Sequence, residues 1–212
     1  GLTGMIKMRL LHTVGIGESQ IDDLIAGFEM MNNPTVGLAA HSGQVDVRIT
    51  AKANSEPEAD RMIAGVEQEL RNQLAEWIYG VDEETLEIVV LKKLARLNWN
   101  FAVVESGIGG RLVNRLSQAS LNADLRAVFK GGQVIGPVCS VEELEQITQS
   151  YRRDQDAKCC LGVLVLEDND RQIIHFILAY ENENQKHTRS YGGPREYAPR
   201  YAINLGLDLL RK

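Results

Sequence analysis

Apolar residues recur along this chain with two periods, and each switch of period marks an element. Residues 6–14 mix apolar with basic side chains, which predicts an edge strand. Ser19 stands three residues before Asp22, a start resembling a capping box. Ile21, Leu24, Ile25, Phe28 and Met31 follow at helical spacing. Asn32-Asn33-Pro34 ends that helix, because proline disfavours helical geometry in the residue before it. Val36, Leu38 and Ala40 alternate, Ser42-Gly43 turns the chain, and Val45, Val47 and Ile49 alternate again, the pattern of a β-hairpin. Ser55-Glu56-Pro57-Glu58 starts a longer helix whose early acids suit the helix dipole. Its apolar stripe runs from Ala59 through Met62, Ile63, Val66, Leu70, Leu74, Trp77 and Ile78 to Gly80, the expected C-cap. Strand, helix, hairpin and long helix make a small α+β unit with its helices on one face of a sheet.

A second pattern begins at Asp82, which is expected to open a helix carrying Leu86, Val89, Val90, Leu94 and Leu97. Phe101-Ala102-Val103-Val104 is a continuous apolar run, as in a strand buried on both faces. A glycine-rich turn then leads into a helix with Leu112, Val113 and Leu116. Strands are predicted at 127–135, 161–166 and 172–180, and helices at 141–152 and 199–210. Helices alternating with short apolar strands predict a three-layer α/β (α/β/α) domain. The expected organisation is residues 1–81 and 82–212, without an internal repeat.

Charge sharpens that division. The 212 residues carry 23 Lys and Arg against 29 Asp and Glu, a net of −6. Residues 1–85 hold six basic and fourteen acidic side chains, whereas 86–212 hold seventeen and fifteen. Phosphate backbones are bound by clustered cations, so the first part excludes nucleic acid as a partner. The second part suits at most a small anion. Apolar residues make up 44% and charged residues 25%, an ordinary globular composition. No apolar run approaches the ~18 residues that cross a bilayer, and no signal-peptide pattern precedes the first element. Three cysteines, two adjacent (Cys159, Cys160), give no disulfide framework, which together with these absences predicts a cytoplasmic protein away from membranes.

The chemistry concentrates in Val103-Val104-Glu105-Ser106-Gly107-Ile108-Gly109-Gly110-Arg111. Glycines there let backbone approach a ligand, and the amides of a helix start attract anions. In an open α/β sheet the carboxyl end of a strand is also where ligands usually bind. Ser106 reads as a nucleophile, as a phosphate or carbonyl contact, or as the helix N-cap, a position serine favours. The G-x-S-x-G elbow and the G-K-[ST] of a phosphate-binding loop are both absent. The four histidines show no metal-ligand spacing, and Cys159 and Cys160 would point to opposite faces of a strand, so no metal or cofactor is expected.

Taken in order, Gly15-Ile16-Gly17-Glu18-Ser19, Asn33-Pro34-Thr35-Val36-Gly37 and Ile78-Tyr79-Gly80 resemble the middle region of the CinA (competence/damage-inducible) family. Glu105-Ser106-x-x-Gly109-Gly110 is similar to that family's A-E-S-x-T-G-G motif, and Gly131-Gly132 and Tyr191-Gly192-Gly193-Pro194-Arg195 to its later glycine segments. The resemblance implies a KH-like connecting domain followed by the fold of nicotinamide-nucleotide amidohydrolase, which deamidates nicotinamide mononucleotide. It further implies a homo-oligomer, and contacts with an N-terminal domain resembling molybdopterin-binding proteins that this chain lacks. Carried over by position, Ser106 is the nucleophile, and Glu105, Gly107, Gly109 and Gly110 belong to the ligand-binding turn. Arg195 matches the closing arginine and is a candidate to grip a phosphate, although a surface carboxylate would hold it equally well.

Departures from the pattern shape the functional expectation. The family's Y-S-N-x-x-K segment, source of a tyrosine and a lysine, reads Val134-Ile135-Gly136-Pro137-Val138-Cys139-Ser140-Val141 here. The motif threonine is Ile108, and the T-G-I-A-G-P loop is replaced by Cys160-Leu161-Gly162-Val163-Leu164-Val165. Lys130 and Arg111 lie near the site in sequence, but arginine is too basic to act as a general base. A serine without a base is a poor nucleophile. The sequence therefore predicts a degenerate relative that binds a small nucleotide or phosphate. Two alternatives stay open: an active amidohydrolase using Ser106, and a non-catalytic dimerisation module for the missing domain.

Overall fold

The computed structural model describes residues 4–41, 43–121, 125–136 and 140–212 and divides into two compact units, 1–85 and 86–212. In the first, β1 (Met5–Val14), β2 (Thr35–His41), β3 (Gln44–Ala53) and β4 (Ile78–Val81) form an antiparallel sheet in the order β2-β3-β1-β4. Helices α1 (Glu18–Glu29) and α2 (Glu56–Leu74) cover one of its faces, over a core that includes Leu11, Val47, Ile49, Ile21, Ile25 and Leu70. This is the α+β unit expected from the pattern, with a KH-like arrangement.

Four local expectations need correction. β1 lies inside the sheet rather than at its edge, paired with β3 on one side and β4 on the other, and acids on α2 accommodate its basic residues. Lys7 pairs with Glu56 at 2.8 Å and Asp60 at 2.7 Å, and Arg9 with Glu67 at 3.4 Å. The first helix is capped at Gly17, with Gln20 closing back onto it, so Ser19 lies inside the first turn. The second helix stops at Leu74, because pairing Leu11 with Val81 across β1 and β4 outweighs the helical stripe that continues to Ile78. Asp82 opens no helix: with φ of 50° it makes a turn, its carboxylate accepting the amide of Leu10 at 3.0 Å. That bond ties 82–85 to the first unit. Ser42, assigned to the hairpin turn, lies outside the described residues.

The second unit holds α3 (Leu86–Arg96), β5 (Phe101–Ser106), α4 (Arg111–Ser120), β6 (Phe129–Val134) and α5 (Val141–Asp154). β7 (Cys159–Asp168), β8 (Arg171–Ala179), β9 (Asn184–Tyr191) and α6 (Ala198–Arg211) complete it. The sheet order is β6-β5-β7-β8-β9, with β5 parallel to β6 and β7, and β8 and β9 antiparallel. Helix α5 covers one face, packed on β5, β7 and β8 over Ala102, Val104, Cys160, Leu164 and Ile177. Helices α3, α4 and α6 pack together, with α4 and α6 against the sheet, to give three layers. Every residue of β5 is buried, the polar Glu105 and Ser106 as well as the apolar run from Phe101 to Val104. β9 had no sequence signal, because this polar edge strand buries neither face.

Candidate functional site

Parallel strands β5, β6 and β7 end on the same side of the sheet, and the glycine turn leaves β5 there. Gly107, Gly109 and Gly110 have φ of 81°, 69° and 77°, which explains why glycine occupies all three positions. Ser106, Gly107 and Gly109, with Val134, Ile135, Gly136, Leu164, Val165 and Leu166, line a groove of about 330 Å³ whose walls are mostly apolar. Most of these walls come from β6, β7 and the residues after β6, which the glycine motif did not signal.

Successive strand residues face opposite sides of the sheet, and Glu105 and Ser106 consequently do different things. The buried hydroxyl of Ser106 donates to the carbonyl oxygen of Gly136 at 2.9 Å. That is its one hydrogen bond among the described residues. Lys130 and Arg111, weighed from the sequence as replacement bases, are exposed. Ile108, where the family motif has threonine, is buried. Pro137, Val138 and Cys139, part of the segment that departs from Y-S-N-x-x-K, lie outside the described residues.

Glu105 is fully buried and turns toward α4, where one carboxylate oxygen accepts the amides of Leu112 at 2.9 Å and Val113 at 3.1 Å. The start of α4 thus has a resident hydrogen-bond acceptor supplied by the preceding strand. Burial pushes this carboxyl above its usual range, against the opposing pull of the amides of Val113, Leu112, Gly110 and Arg111. A charged residue in an otherwise apolar strand was the available sequence signal for this cap.

The structure brings Ser106, Gly107 and Gly109 together on the groove. Glu105 and Gly110 sit at the helix start instead, and Arg195 is held elsewhere. Its guanidinium meets Glu167 at 3.0 Å and the carbonyl of Asn169 at 3.1 Å, both partners being exposed. Cys159 and Cys160 pack into opposite faces of the sheet; burial pushes the Cys159 thiol up to about 12 and Cys160 higher still. His175, whose ring faces the Thr188 hydroxyl at 3.0 Å, is a hydrogen-bonded sheet residue. Among the described residues no cluster of His, Cys, Asp or Glu is arranged to hold a metal, and no helix is long and apolar enough to cross a membrane.

Residues 8–80 match the damage-inducible protein CinA KH domain. The CinA-like protein of Synechococcus sp. (strain RCC307) is 38% identical over 173 residues, 81% of this chain and 41% of that relative. A putative competence-damage inducible protein of Clostridium botulinum (strain ATCC 19397 / Type A) is 44% identical over 112 residues, 52% of this chain and 27% of the relative. These matches span less than half the length of either relative. The crystal structure of competence/damage inducible protein CihA from Agrobacterium tumefaciens shares the fold, with a TM-score of 0.52 at 15% identity, covering 59% of this chain and 91% of that one. The glycine turn after the buried strand and the α+β unit before it thus have relatives in one place: this chain belongs to the CinA family.

Proposed function

We propose that the second unit is a relative of nicotinamide-nucleotide amidohydrolase that has lost turnover and kept a ligand groove. The observation that carries this reading is the bond from the Ser106 hydroxyl to the Gly136 carbonyl. A backbone carbonyl orients the serine proton but cannot remove it, and nucleophilic serines need an adjacent base. The apolar walls suit the ring of a small nucleotide. With Glu105 on the amides of α4, a phosphate of that ligand lies away from the helix start.

The test is ammonia release from nicotinamide mononucleotide, with Ser106→Ala as the control. The expected result is no release above the control, together with a thermal shift at millimolar nucleotide that sulfate does not reproduce. Turnover abolished by Ser106→Ala would instead establish an active amidohydrolase. Absence of any shift would remove the ligand groove from this reading.

A further inference from the structure

A second polar cluster lies in the first unit, on the sheet face opposite its helices. His12 of β1 is set with its Nδ1 at 2.7 Å from Asp46 Oδ1 of β3, and its Nε2 at 2.7 Å from the carbonyl oxygen of Asp82. Its ring stacks on Tyr79 of β4, with centroids 5.6 Å apart. Neutral imidazole donates from one nitrogen only, and a backbone carbonyl cannot donate in return. With an ionised Asp46, both contacts are hydrogen bonds only when both ring nitrogens carry protons.

The Asp82 turn is also tied to β1 at neighbouring points. Its amide donates to the Leu10 carbonyl at 3.0 Å, and its carboxylate holds the Leu10 amide and lies 3.1 Å from the Arg9 guanidinium. We propose that His12 is a doubly protonated clamp that fastens the Asp82 turn to the sheet, and that removing one of its protons loosens that turn. The proton that stays is the one on Nδ1, held by the Asp46 carboxylate, so the carbonyl at residue 82 then faces the lone pair of Nε2.

The surrounding charges act in the same direction. Facing the ring are Asp46 from β3, Tyr79 from β4 and the Asp82 turn; His41 from β2 reaches the other Asp46 oxygen at 3.3 Å. The hydrogen bond to Asp46 leads in holding His12 above its ordinary value of 6.5, against the effect of burial. Burial pushes Asp46 up, but His12 and His41 outweigh it and leave the carboxyl below its ordinary 3.8. A raised histidine contributes stability in full below 6.5 and loses it as pH rises through the folded-state value; a lowered carboxylate contributes above 3.8 and loses it as pH falls. The clamp is therefore complete between those limits and opens on the alkaline side.

The experiment is a pH titration of the full 15N-labelled chain by NMR, reading the His12 ring nitrogens and the amides of Leu10 and Asp82. The expected result is two protonated ring nitrogens at pH 6.5, a midpoint above 6.5, and movement of both amides with that same midpoint. Asp46→Asn should lower the midpoint by at least one pH unit, a tenfold change in proton affinity, while His41→Gln should leave it above 6.5. A ring midpoint at or below 6.5 in the unmodified chain, or amides that stay still while the ring titrates, would overturn the proposal.

Discussion

Glu105→Ala is expected to be the most damaging single side-chain truncation at the candidate site, lowering stability by about 3 kcal/mol in urea unfolding. Two effects add. The substitution leaves a gap at a fully buried position, and it strips the amides of Leu112 and Val113 of their acceptor. Buried donors without partners typically cost about 1–3 kcal/mol each, although water entering the gap recovers part of this. Glu105→Gln separates the contributions. It keeps a carbonyl acceptor and removes a buried charge, so a change within about 1 kcal/mol of the unmodified chain is expected. Because burial holds this carboxyl above its ordinary range, its contribution is largest at acid pH and falls as pH rises through the folded-state value. The Gln variant should lose that dependence. Equal losses for Ala and Gln would show that charge, rather than the acceptor, secures the start of α4.

Gly107→Ala should come close behind, at about 3 kcal/mol, with Gly109→Ala costing only about 1 kcal/mol. Both residues have positive φ, so both substitutions carry backbone strain. The difference is space. A Cβ at 107 runs into the Val165 carbonyl oxygen, part of the backbone of a central strand, and neither group can turn away. A Cβ at 109 meets nothing within 4 Å. Thermal unfolding of the two variants measures the contact directly, since the dihedral cost is shared. Matching losses would mean that β7 yields at Val165. The Gly107 variant should also weaken the nucleotide binding proposed above, because Gly107 and Val165 both line the groove.

Legibility in the sequence followed burial. The hairpin of β2 and β3 was readable because one face is apolar and the other polar. β5 was readable because both its faces are covered. β9 was hidden for the opposite reason, being a polar edge strand held by backbone pairing with β8. Trp77 and Ile78 kept a helical stripe going after the helix had ended, since periodicity records which residues are buried and not which partner buries them. The same distinction applies at the site. The turn and Ser106 stand out as a motif, but the destination of the Glu105 carboxylate depends on where α4 begins in space. His12 had no visible partner in the sequence, because Asp46 and Asp82 reach it across two strand registers.

The order of strands in the second unit also governs how that unit is made. β5 is wholly buried and internal to the sheet, yet both of its neighbours come later in the chain; Phe101 pairs with Phe129 and then, much later, with Cys159. During synthesis both edges of this strand wait for partners that have not yet left the ribosome. Non-local parallel pairing of this kind folds slowly, and unpaired apolar strands aggregate. A chain that stops after α5 would present β5 without β7, and its fate would be insoluble association rather than half a domain.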